Sequence, residues 1–216
     1  MGTLRVTGKG QLKIRPDTTC IKISLKGMEE EYSEILHRSS MDTAKLKELL
    51  SAYGFERADL KTLYFDVDTE YQRHKEGDEY KSRFVGYTYE HDLKIEFDSD
   101  HERLGKILYG LAHCSLQPEF RISYTIKDQE AAKNELLGKA VKDAKEKALI
   151  LSKSAGVSLK EIESIDYSWG EVKFETRLFE QSKILSKATL KDSYDIDIEP
   201  DDMDVSDTVT VVWKIV

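Results

Sequence analysis

The sequence predicts an α+β fold, and three observations carry the prediction. From Thr18 to Lys127 the apolar period switches between two and about 3.6, in the order strand, helix, strand, strand, helix, strand. Alanines at four-residue spacing mark a long helix over 129–155. The segment TVTVVWKIV, 208–216, is a nearly continuous apolar run, as expected of a strand buried on both faces. The first observation is the split βαββαβ, or ferredoxin-like, pattern. Additional strands and the long helix extend it.

Each element has its own signal. Leu4 to Val6 predicts a short strand, and Gly8-Lys9-Gly10 follows. A phosphate-cradling loop needs four residues between its first Gly and Gly-Lys-Ser/Thr, with a helix behind it. Here Gln11-Leu12-Lys13-Ile14 alternates like a strand, so the two glycines are expected to form a bend or bulge. Past Pro16-Asp17, Thr19, Ile21, Ile23 and Leu25 continue the alternation. Over 29–53 the apolar spacing becomes three and four, through Leu36, Leu46 and Leu50, and Gly54 is placed as a left-handed cap. Leu63, Phe65, Val67 and Thr69 alternate again, and a turn is expected at 74–78. A long strand over 84–97 carries Tyr87, Tyr89, His91, Leu93, Ile95 and Phe97 on one face. Asp98-Ser99-Asp100 offers N-caps for a helix over 100–113. After a strand at 120–126, Asp128 caps the long helix, whose small residues Ala140, Ala144 and Ala148 permit close approach of a neighbour. A strand at 162–167 precedes a long mobile loop over 170–204. The two strand-helix-strand halves, 17–71 and 82–127, look like an internal duplication within a single domain, 1–216.

Charge narrows the partners. The 216 residues carry 41 acids and 33 bases, and eight of the acids lie in 192–207 with no base among them. The rest of the chain is balanced. Phosphate contacts supply most nucleic-acid affinity, and no basic stripe is present, so no nucleic-acid partner is expected. No apolar run approaches membrane-helix length, so no membrane insertion is expected. Residues 1–10 lack a signal-peptide core, and Val6 stands where myristoylation needs Ser or Thr. The expectation is a cytoplasmic protein, or a periplasmic or cell-envelope one if an export signal has been removed.

Candidate sites are few. Cys20 and Cys114 lack a metal-type pair spacing and are expected to be small buried hydrophobes. His91, His101 and His113 cannot share one ion, since the last two stand about 18 Å apart along a helix; His113 suits the helix C-terminal dipole. Asp195, Asp197, Glu199 and Asp201 alternate like calcium ligands, but Pro200 and Ser206 stand where such a loop needs Gly and Glu. No nucleophile motif is present. Phe84, Tyr87 and Tyr89 are expected in a core or interface rather than on an RNA-stacking sheet. No catalytic, cofactor-binding or metal-binding residue is assigned.

Several spaced motifs together carry a family resemblance. They are VTGKG with Pro16-Asp17; Met41 with Leu46, Leu49 and Gly54; Asp59-Leu60-Lys61-Thr62; Gly86-Tyr87; Ala140, Asp143-Ala144, Lys147-Ala148 and Gly156; and Ile198-Glu199-Pro200. In their order and spacing the chain resembles the SIMPL-domain family, a bacterial domain of unknown function, over residues 3–216. The resemblance implies an α+β fold, a tendency to oligomerise, and links to the cell envelope and oxidative stress. It implies no defined catalytic residues. The chain is expected to depart from the family in lacking a signal peptide, and it is Lys/Ser/Asp-rich over 180–197, where members are often Pro/Ala-rich. The expected function is non-enzymatic, through self-assembly or protein contacts, with N-terminal edge strands and the alanine-striped helix as surfaces. The alternative is small-molecule binding or scavenging in a pocket lined by Tyr87, Tyr89 and Tyr124; a hydrolase is a third class.

Overall fold

The computed structural model describes residues 2–76, 79–167, 172–177 and 199–216. The elements run β1 (Gly2–Ile14), β2 (Thr18–Glu29), α1 (Tyr32–Ser51), β3 (Lys61–Glu76), β4 (Glu79–Asp98), α2 (His101–His113), β5 (Glu119–Thr125), α3 (Gln129–Ala155), β6 (Leu159–Asp166), β7 (Thr176–Arg177) and β8 (Met203–Ile215). The fold is α+β, and the strand-helix-strand-strand-helix-strand order from β2 to β5 stands as the periodicity indicated. The long helix occupies the expected 129–155. The final strand begins at Met203 rather than 208. The loop expected over 170–204 lies mostly outside the described residues, as do Asp195 and Asp197 of the acidic stretch.

The chain divides into two compact units. One is built on Thr18–Tyr124 and holds strands of a sheet ordered β3-β4-β2-β5-β7, in which β2 and β3 both pair antiparallel with β4. Odd-numbered residues of β2 and β4 face α1 and α2. Ile21, Ile23, Leu93 and Ile95 meet Ile35, Leu46 and Leu50 of α1 and Leu104, Ile107 and Leu111 of α2, all buried. Each such side chain stabilises the fold by roughly 1.5–3 kcal/mol through removal from water. Asp100 caps α2 by accepting from the Arg103 amide at 3.0 Å. The α1 helix has no side-chain N-cap bond; it ends at Ser51, and Gly54 takes its left-handed conformation just beyond.

The second unit comprises Met1–Asp17, Thr125–Thr176 and Pro200–Val216. Its three-stranded sheet has the order β1-β8-β6, all antiparallel, and α3 packs on β1 and β8. The sequence expectation of a bend at Gly8-Lys9-Gly10 is overturned. β1 is continuous from Gly2 to Ile14 and pairs with β8 without a register break. The glycines serve packing instead. A Cβ on Gly8 would lie against the backbone of Ala140 and Ala144, and one on Gly10 against the backbone of Leu136. Strand glycines often mark such close backbone approach. Ala140, Ala144 and Ala148 are fully buried there, with Val6, Val209, Val211 and Trp213 around them. The expected assembly role of the alanine stripe is therefore taken by contact within the chain.

The same helix also covers groups on β1. The Asp143 carboxylate accepts from the Lys9 amide at 2.7 Å, and Lys147 Nζ lies 2.7 Å from Asp143 and 3.5 Å from the Thr7 carbonyl. Those bonds, from Lys147 first and the Lys9 amide second, hold the Asp143 carboxyl below its usual range. A depressed folded pKa contributes stability that is complete above the unfolded value, about 3.9, and disappears as pH falls through the folded value. Asp143→Asn is thus expected to lower the urea midpoint near pH 7 and to match the wild type once the pH lies below the folded value. An equal gap at both pH values would contradict this role.

Candidate functional site

Two features in the unit built on 18–124 stand apart from its core. The first is a projecting ribbon. β2 ends at Glu29, opposite Tyr87 of β4, so among the described residues the β3–β4 pair continues alone through 70–76 and 79–86, roughly 20 Å at about 3.3 Å per residue. A register shift leaves Val85 as an extra residue, because Glu70 pairs with Gly86 while Tyr71 pairs with Phe84. Strand side chains alternate in side, and one extra residue reverses the phase. Phe84 and Tyr87 thereby share a face. Their rings meet edge-on at 5.2 Å, Tyr71 follows Phe84 at 5.7 Å, and Tyr32 meets Tyr87 at 5.3 Å. The row runs from the start of α1 out along the ribbon. Tyr71 is 55% and Phe84 41% exposed, and Tyr80 is more exposed still.

Just before the ribbon, β3 occupies some of its own donors. Asp66 accepts from the Val67 amide at 3.0 Å, and Asp68 from the Thr69 amide at 2.7 Å. With Glu70 these acids lie on one face of β3. Two copies adding strand to strand about a two-fold axis would bring this acidic row close to itself, and opposed like charges are unfavourable. The ribbon's rings, not its edge, are its open apolar surface. Among the N-terminal strands, β1 has the cover from α3 described above.

The second feature is a cavity of about 360 Å³ between α1 and β3, lined by Ser40, Thr43, Lys47, Arg57, Phe65 and His91, with Ser39 and Ala44 completing it. His91 is buried at its floor. Its Nδ1 lies 3.0 Å from Thr43 Oγ1 and its Nε2 2.9 Å from Thr62 Oγ1. The Thr43 hydroxyl donates its one proton to the Ser39 carbonyl at 2.8 Å, so towards His91 it accepts. Nδ1 therefore carries the proton, and Thr62 donates to Nε2. Burial, reinforced by the nearby Lys47 charge, pushes the His91 pKa down and keeps the ring neutral. Both nitrogens are committed, so His91 fixes α1 to β3 and β4 rather than serving as a free base. The Phe65 ring sits edge-on to it at 5.1 Å.

The sequence candidates fall elsewhere. Tyr89 and Tyr124 are core residues, 2% and 1% exposed, and neither lines this cavity, so the pocket expected of Tyr87, Tyr89 and Tyr124 is not formed there. Tyr89 instead donates to Asp42 at 2.8 Å. Burial pushes the Tyr124 hydroxyl up to about 12. Cys20 is buried as expected; Cys114 is half-buried, bonded to the Leu111 carbonyl at 3.2 Å. His101 and His113 lie at the two ends of α2, and His113 stacks on Tyr109 at 4.0 Å. Of the spaced motif residues, Asp59 holds the Glu56 amide at 2.8 Å, Thr62 holds His91, and Gly86 lies at the ribbon bulge. Sequence reasoning missed Lys47 and Arg57, because helical and loop cations carry no signal until β3 is placed beside them. Among the described residues, no helix is long and apolar enough to cross a membrane.

The family model described as SIMPL, protein of unknown function (DUF541), matches residues 4–213 of the 216. No curated protein matches the chain.

Proposed function

The chain belongs to the SIMPL family, and from that premise we propose that it is a non-enzymatic protein acting through self-association, with the ring-lined ribbon as its contact surface. The observation that carries this is the Tyr32–Tyr87–Phe84–Tyr71 row, exposed at Tyr32, Phe84 and Tyr71, on a ribbon that has no third strand among the described residues. An isolated two-stranded ribbon is marginal in water and gains stability from a packed face. Aromatic pairs contribute about 0.5–1.5 kcal/mol beyond their buried area. A second copy is the occupant because a two-fold contact is self-complementary: the same strip meets itself, ring against ring. The acidic row on β3 steers that contact to the face.

Light scattering behind a sizing column tests it. The expected result is a discrete mass above the 24.8 kDa of one chain, stable on dilution. Replacing Tyr71 and Phe84 together by Asp is expected to return the mass to one chain without changing the far-ultraviolet dichroism. A single-chain mass at every concentration overturns the proposal.

A further inference from the structure

The geometry points to the cavity between α1 and β3 as a binding site for a small phosphate monoester with a ring-shaped body. This inference does not rest on self-association: the cavity is lined by residues of the same unit other than those of the ring row. Three observations converge on it. Lys47 and Arg57 line the cavity, and among the described residues neither makes an ion pair with a carboxylate. Lys47 is half-buried, and a partly desolvated ammonium gains from an anionic partner. Ser40 lies on the same exposed flank of α1, seven residues before Lys47, so its hydroxyl faces the same opening. Phe65 forms an apolar wall and is 43% exposed.

The charge selects the ligand. A phosphate monoester carries about −1.5 to −2 near neutral pH, which two cations balance. A carboxylate would leave one of them unneutralised. The Arg57 guanidinium can present two parallel donors to a phosphate, whereas Lys47 acts as a point charge. The volume of about 360 Å³ falls at the small end of ligand sites, roughly 300–1,000 Å³, so there is room for a ring as well as the phosphate. His91 and Thr43 have their hydrogen-bonding capacity committed, so the site is assigned binding and no chemical step.

The test is a titration of the full chain by calorimetry with phenyl phosphate, inorganic phosphate and benzoate. Phenyl phosphate is expected to bind at least about tenfold more tightly than benzoate, the factor that one charge-assisted hydrogen bond supplies, and more tightly than inorganic phosphate through contact of its ring with Phe65. Lys47→Met and Arg57→Met are each expected to weaken it by about the same factor, with the melting temperature and the solution mass unchanged. Phe65→Leu should narrow the gap between phenyl phosphate and inorganic phosphate. Absence of saturable binding at millimolar phenyl phosphate overturns the proposal. So does equal affinity for all three probes, or undiminished binding when Lys47 and Arg57 are both replaced. None of these outcomes depends on whether the chain associates, because mass is read separately.

Discussion

Gly8→Ala is expected to unfold or severely destabilise the unit built from β1, β8 and α3. The added methyl group would meet main-chain atoms of Ala140 and Ala144, which cannot rotate away as a side chain can. Relief requires moving α3 off the sheet, and with it the buried contacts of Val6, Val209, Val211 and Trp213. Overpacking ordinarily costs roughly 1–3 kcal/mol, and a backbone clash places this change at or above the upper end. Gly138→Ala supplies the contrast on the same helix. A Cβ there meets nothing within 4 Å, and Ala is favoured over Gly in helices by roughly 0.8–1.0 kcal/mol. Urea midpoints should therefore move in opposite directions for these two chemically identical substitutions. Similar midpoints for Gly8→Ala and the wild type would show that the helix does not rest on the strand backbone.

The second large effect is expected at Gly86. Its φ of +147° is a conformation that L side chains rarely adopt, and a Cβ there would lie 2.5 Å from the Glu29 carbonyl oxygen. Backbone strain of this kind costs about 1–3 kcal/mol, and the contact adds to it. Gly86 sits beside the extra residue Val85, which sets the side of the ribbon to which Phe84 points. Gly86→Ala should therefore lower stability by at least about 2 kcal/mol. It should also abolish the proposed self-association, because a ribbon that loses its bulge moves Phe84 away from Tyr87. Tyr80→Ser, which removes an exposed ring and leaves the backbone untouched, should not lower stability. A Gly86→Ala protein with wild-type midpoint and mass would remove the bulge from the account.

Local chemistry made most of the elements legible. The alternation of Ile21, Ile23 and Leu25, the spacing of Leu104, Ile107 and Leu111, and the Asp128 cap each report on neighbours within one or two turns. The α3 boundaries follow from that cap and from Gly156, which is left-handed. Gly8-Lys9-Gly10 failed for the opposite reason. Two glycines in a strand look the same whether the chain turns or another backbone lies against it, and the helix that decides is some 130 residues away. The alanine stripe of α3 was the other half of that contact, visible but without an address. The cavity was hidden for a similar reason. Thr62 and His91 are unremarkable strand residues until Thr43 of α1 is placed over the sheet and meets His91. Tyr89 and Tyr124 drew attention as aromatics, yet their hydroxyls belong to a well-packed core.

The pairing of β1 with β8 has a consequence for biosynthesis. Thr7 and Thr210, whose hydroxyls lie 2.8 Å apart, are separated by 203 residues of chain. The unit containing Thr18–Tyr124 is contiguous from β2 to β5, so the contacts among those elements close while translation is still under way. β1 is made before that unit, yet its ladder partner β8 is made after it. During that interval the ribosome-bound chain carries an unpaired strand with two glycines and Val6 exposed, the state in which a chaperone's grip on a nascent chain matters most.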